Sequence, residues 1–153
     1  MIERTQVGTH AIWTEDEEGL ICLLQSGLAV EAHAVKLTEV LAAHAVTMVP
    51  GEPYFILADW REATGVTKDA RKAIATAEIR REDIYLAAFG ASFAFRVVAN
   101  LVFSAINLLS SSRVVVTFKA TESESREWLR EQRRAYFARK REGAAPVASA
   151  MEP

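Results

Sequence analysis

The sequence predicts an α/β domain: a mixed sheet of about five strands with helices on both faces, in the order ββαβαβαβα. Three observations predict it. The short, continuous apolar runs "YFILAD", "YLAAF" and "RVVVTF" have the character of strands buried on both faces. Segments with apolar residues three and four apart separate them, as helices packing on a sheet require. The N-terminal region instead holds two strand-like runs around a glycine turn, the pattern of a hairpin.

The hairpin is expected over Gly8–Thr14 and Leu20–Gln25, with the acidic turn Glu15–Gly19 between them and Gly19 supplying the positive φ of a tight connection. After Ser26-Gly27, Val30, Ala34, Leu37 and Leu41 fall at helical spacing and predict a helix from about Ala29 to Val46, stopped by "PGEP". Beyond "YFILAD", Thr67-Lys68-Asp69 opens a helix that turns Ala70, Ala73, Ile74 and Ala77 inward. Ala91-Ser92 opens the next helix after "YLAAF", and Thr121 to about Arg141 forms the last after "RVVVTF". Strands alternating with helices imply right-handed crossovers and a sheet whose later strands are parallel. Residues 1–141 are expected to form one domain and residues 142–153 a disordered tail, because "GAAPVASAMEP" has little to pack.

The chain has 153 residues, half of them apolar and a quarter charged, which suits one domain with a full core. A net charge of −2 exerts no general pull on nucleic acid or membranes. The single cysteine, Cys22, lies in the apolar run "LICLLQ" and can form no intramolecular disulfide. With no basic-then-apolar pattern in "MIERTQVGTH", cytoplasmic residence is expected.

The most apolar stretch is Phe89–Ser112. Its helical part, Ala91–Leu109, has 19 residues, near the roughly 20 that span a bilayer. Arg96, Asn100, Ser104 and Asn107 nevertheless fall on one stripe, and a charge at mid-bilayer is costly, so no span is expected. The rest of the circumference is apolar, more than a sheet-covering helix needs. The surplus serves either as core or as a surface for a second protomer, a partner or a lipid, with Phe93, Phe95, Phe103 and Ile106 as the candidate interface.

The run "FILADWREATG", then "AAFGASFAFRVVANLVFSAINLL", "RVVVTFKA" and "TESESREWL", resembles the STAS superfamily, in particular its SpoIIAA-like branch, over about Leu20 to Arg130. The resemblance implies a four- or five-stranded sheet with four helices and a regulatory role through protein contacts in bacteria. STAS proteins that antagonise anti-sigma factors carry a phosphoacceptor serine in an acidic-Ser-Ser/Thr-Gly motif at a helix start. Here the corresponding run is Val66-Thr67-Lys68-Asp69-Ala70, with neither the serine nor the glycine, so the phosphoswitch is not expected. Thr67 reads instead as a helix cap. The SpoIIAA-like branch is also similar in outline to the CRAL-TRIO lipid-transfer fold, which implies a lipid or small-ligand carrier as the alternative.

His33 and His44 lie on one helix about 16 Å apart along its axis, too far to share a metal, and His10 has no evident partner in sequence. No metal site or cofactor is expected. Asp59 and Glu62 are placed near the carboxyl end of a central strand, where open α/β sheets hold ligands. Ser92 and Arg96, opening the next helix, would complete an anion site with Thr67 and Lys68 nearby; the plainer reading is an N-cap and a paired arginine. No nucleophile with a base is identifiable, so no enzyme is expected. From Arg126 to Arg141 the last helix carries a net +5 against −7 elsewhere, which suits an acidic partner or protomer better than nucleic acid. The expected protein is a non-enzymatic STAS-like module that binds a protein partner or itself; the alternative is a lipid or small-ligand carrier built on helix 91–109.

Overall fold

The acidic turn closes the N-terminal hairpin where the sequence places it, in a computed structural model that describes residues 3–47, 49, 51–77, 83–109 and 113–149. Strand β2 (His10–Glu15) pairs antiparallel with β3 (Leu20–Ala29), and Gly19 turns the chain at φ 64°. A further short strand, β1 (Thr5–Val7), lies antiparallel on the outer edge of β2, so the sheet has six strands and not five. Then follow α1 (Glu31–Val46), β4 (Tyr54–Val66), α2 (Lys68–Thr76), β5 (Ile84–Phe89), α3 (Phe93–Leu109), β6 (Val114–Lys119) and α4 (Glu122–Ser149). Helix α4 extends beyond the end expected near Arg141, so residues 142–149 of the expected tail are helical; residues 150–153 lie outside the described residues, as do 110–112 of the apolar segment and the first proline of "PGEP".

Strands β3, β4, β5 and β6 are mutually parallel and stand in chain order across the sheet. Every crossover therefore steps in the same direction, and right-handed crossovers stepping one way put α1, α2 and α3 on one face. Alternation along the strands divides the core accordingly. Ile56 and Ala58 of β4, with Ile84 and Leu86 of β5, meet Leu37 and Leu41 of α1 and Phe95 and Ala99 of α3. Phe55 and Leu57, with Tyr85 and Ala87, face the other way, toward Leu129, Trp128 and Tyr136 of α4.

Local chemistry fixes the helix starts. Thr67 Oγ1 accepts from Ala70 N–H at 3.1 Å and Ser92 Oγ from Phe95 N–H at 3.1 Å, both N-caps. Before α4, Thr121 and Glu124 form a reciprocal capping box: Thr121 Oγ1 accepts from Glu124 N–H, and Glu124 Oε2 accepts from Thr121 N–H. Asn107, in the polar stripe of α3, grips the first residue of β6: its Oδ1 accepts from Val114 N–H at 2.7 Å while its Nδ2 donates to the Val114 carbonyl at 3.2 Å.

Candidate functional site

Helix α2 has nine residues, of which Ala70 is buried and Ile74 lines the space below. It packs mainly on α1 and α3, so it bridges them above the sheet. Beneath lies a cavity of about 140 Å³. Its floor is Ile21, Leu23 and Ile56; its walls are Leu37 and Leu41 on α1 and Phe103 on α3. Among the described residues, no charged side chain lines it. Trp60 forms the aromatic end, edge-on to Phe95 at 5.0 Å between centroids and stacked on Phe103 at 6.3 Å.

Three lining residues bring polar side-chain atoms: Thr38, whose hydroxyl donates to the Val35 carbonyl at 2.8 Å, Gln25 and Trp60. Gln25 is 8% exposed and Trp60 4%, and among the described residues neither Gln25 Oε1 nor Trp60 Nε1–H has a hydrogen-bond partner. The strand pairing places them side by side. Leu24 opposes Asp59 and Ser26 opposes Glu62, so Gln25 of β3 stands against both Trp60 and Arg61 of β4 in a β-bulge. Both residues escaped the sequence reading. The signal for Gln25 was its parity with Ile21 and Leu23, which puts an amide on the core face of the strand.

The candidate anion site does not assemble as expected. Asp59 lies within β4 and not at its end, because the strand continues to Val66. Its carboxylate is held by Arg61, which donates from Nε to Oδ1 at 3.0 Å and from Nη2 to Oδ2 at 2.7 Å. Burial pushes the Asp59 pKa up, but these bonds outweigh it and leave the pKa below the usual value. Glu62 is exposed opposite Ser26, Thr67 and Ser92 are caps, Lys68 is the first residue of α2, and Arg96 lies 5.8 Å over the Phe93 ring at the surface.

The candidate apolar interface divides. Phe93 is 75% exposed, whereas Phe95 is buried and Phe103 and Ile106 pack on the core; these three line the cavity. On the helical wheel Phe93 and Phe95 are about 200° apart, so both cannot face the same way. The outward apolar stripe is instead Phe93, Val97, Leu101 and Leu108. Among the described residues, no helix is long and apolar enough to cross a membrane, and no cluster of three metal-ligating side chains occurs.

The first turns of the basic helix meet the acidic turn of the same chain. Arg126 donates to Glu15 and Glu18, Arg130 donates to Glu18 at 2.6 Å, and Arg133 donates to the Glu18 carbonyl at 2.6 Å. The Arg126 hydrogen bonds hold the Glu15 carboxyl down at about 2, and burial beside Glu15 pushes the Cys22 thiol up to about 12. Tyr136 packs against the core between the sheet and α4.

No protein-family model and no curated protein matches the chain. Among solved structures, it is similar to an uncharacterized protein of the DUF3478 family with a SpoIIAA-like fold, from Shewanella loihica PV-4. The two are 12% identical with a TM-score of 0.52, over 84% of this chain and 92% of the other. At that identity the likeness speaks for architecture alone, and it agrees with the STAS resemblance carried by the strand and helix order: the protein has a SpoIIAA-like fold.

Proposed function

We propose that the protein is a non-enzymatic binding module that takes a small apolar ligand into the cavity beneath α2. The observation that carries this reading is a cavity of about 140 Å³, walled by two helices and the sheet, with no charged lining among the described residues. Close packing leaves few voids larger than a water molecule in a protein interior. An apolar cavity of about 150 Å³ stays dry and takes benzene, whereas drug-sized ligands need roughly 300–1,000 Å³. The size favours a single ring over a lipid chain, which narrows the carrier alternative to its small-ligand form.

The test is thermal unfolding of the full chain with and without toluene, paired with native mass spectrometry of protein purified from its own host. A ligand that binds only the folded state raises the midpoint in proportion to RT ln(1 + [L]/Kd). Replacing Ala99, which lines the cavity, by leucine should fill the space and abolish the shift. An unchanged midpoint with toluene and its congeners, together with no co-purified mass, would sink the reading.

A second reading, the regulatory STAS-like one, rests on the outer face of α3. Phe93, Leu101 and Leu108 are 75%, 60% and 85% exposed, and such apolar patches mark contact with a partner protein or a second copy. Light scattering of wild type and Leu101→Lys tests the self-association form: dimer for the first and monomer for the second supports it, and a monomeric wild type removes it.

A further inference from the structure

We infer, resting on the cavity reading, that the ligand is a neutral single-ring compound bearing a hydroxyl group, bound by Trp60 Nε1–H and Gln25 Oε1 together. Among the described residues the two atoms are an unused donor and an unused acceptor, both on residues more than nine-tenths buried, and both residues line one cavity. The bulge sets them on adjacent strands and the same face, yet they do not bond each other. Leaving a buried polar group without a partner is costly, and two complementary ones side by side define a place for a third group.

That group must accept from the indole and donate to the amide oxygen. A hydroxyl does both with one oxygen atom. An ether or ketone satisfies only Trp60. A carboxylate would present a second acceptor to Gln25 Oε1 and would bring its charge into a cavity that has no cation in its lining among the described residues. The ring of the ligand then packs among Phe95, Phe103 and Trp60, where aromatic faces and edges are both offered. A phenol-sized molecule meets the volume and both hydrogen bonds.

The experiment is calorimetric titration of the intact chain with phenol, anisole and toluene, read alongside the indole N–H resonance of Trp60. Phenol is expected to bind about tenfold or more tightly than toluene, although it is the more water-soluble of the two, with anisole between them. Phenol and anisole, which both offer an oxygen to the indole, should move the Trp60 N–H resonance downfield, whereas toluene should not. Gln25→Leu should lower the phenol affinity about tenfold and leave or improve that of toluene. Trp60→Phe should do the same; because Trp60 is a core side chain, the Gln25 variant and the wild-type ligand series stand independently of it. Toluene binding as tightly as phenol would overturn the hydroxyl assignment while leaving the cavity reading intact. Failure of all three to bind would overturn both.

Discussion

His10 Nε2 lies 3.2 Å from His33 Nδ1, joining the buried end of β2 to the first turn of α1. The other nitrogen of His10 accepts from Ser26 N–H at 3.2 Å, so Nε2 carries the proton and donates to His33. The His10 ring is neutral in this arrangement. A proton added to His10 Nδ1 would set it donor to donor against Ser26 N–H.

The pair makes stability sensitive to mild acid. Burial, and then the neighbouring His33, lowers the His10 pKa below its ordinary 6.5. The unfolded chain therefore binds more protons than the folded one just below that pH. The contribution is complete above pH 6.5 and is lost as pH falls from there through the folded value. Urea unfolding should show the midpoint falling across this window in wild type and falling less in His10→Gln. A midpoint that stays flat below neutrality in wild type would contradict it.

A second acid limb belongs to the Glu15–Arg126 pair. The Glu15 pKa is depressed from 4.5 to about 2, so its stabilisation is present above 4.5 and fades as pH falls to about 2. Both side chains are 20% exposed, so the pair is partly shielded from solvent. Arg126→Met is expected to cost about 1.5–3 kcal/mol in denaturant unfolding at neutral pH, the range for hydrogen bonds to charged groups. Replacing exposed Arg134 by methionine should change stability by less than about 0.5 kcal/mol. Equal effects of the two substitutions would show that the acidic turn does not hold α4.

Thr67 is predicted to act as a cap and not as a phosphosite. Thr67→Ala should lower stability by about 0.5–2 kcal/mol, and Thr67→Ser should restore most of it, since either hydroxyl can accept from Ala70 N–H. Phosphopeptide mapping from cells supplies the other half: stoichiometric phosphate on Thr67 in any growth phase would defeat the prediction.

Gly90 turns the chain from β5 toward α3 with φ 73°, and a Cβ there would meet the Arg61 side chain and approach its backbone. Gly90→Ala should cost at least about 1–2 kcal/mol for the left-handed conformation, plus the displacement of Arg61 from Asp59. If calorimetry finds the variant as stable as wild type, the turn has another conformation open to it.

Local patterning determined the elements of this protein. The apolar runs of β4, β5 and β6, the helical spacing of α1 and α3, and the caps at Thr67 and Ser92 are all readable from neighbours a few residues apart. Edge strand β1 was not, because its three residues, Thr5–Val7, are too few to show a period. Tertiary structure decided the rest, since it depends on which distant segments meet. Chain-ordered parallel strands put α1, α2 and α3 on one face and left α4 to the other. That arrangement turned Phe95, Phe103 and Ile106 inward to a cavity while Phe93 stayed outside, and it brought the acidic turn against Arg126 of the same chain. A register shift between β3 and β4 set Gln25 beside Trp60. The Gln25–Trp60 and Glu15–Arg126 pairings join residues 35 and 111 positions apart, separations that no periodicity in the sequence encodes.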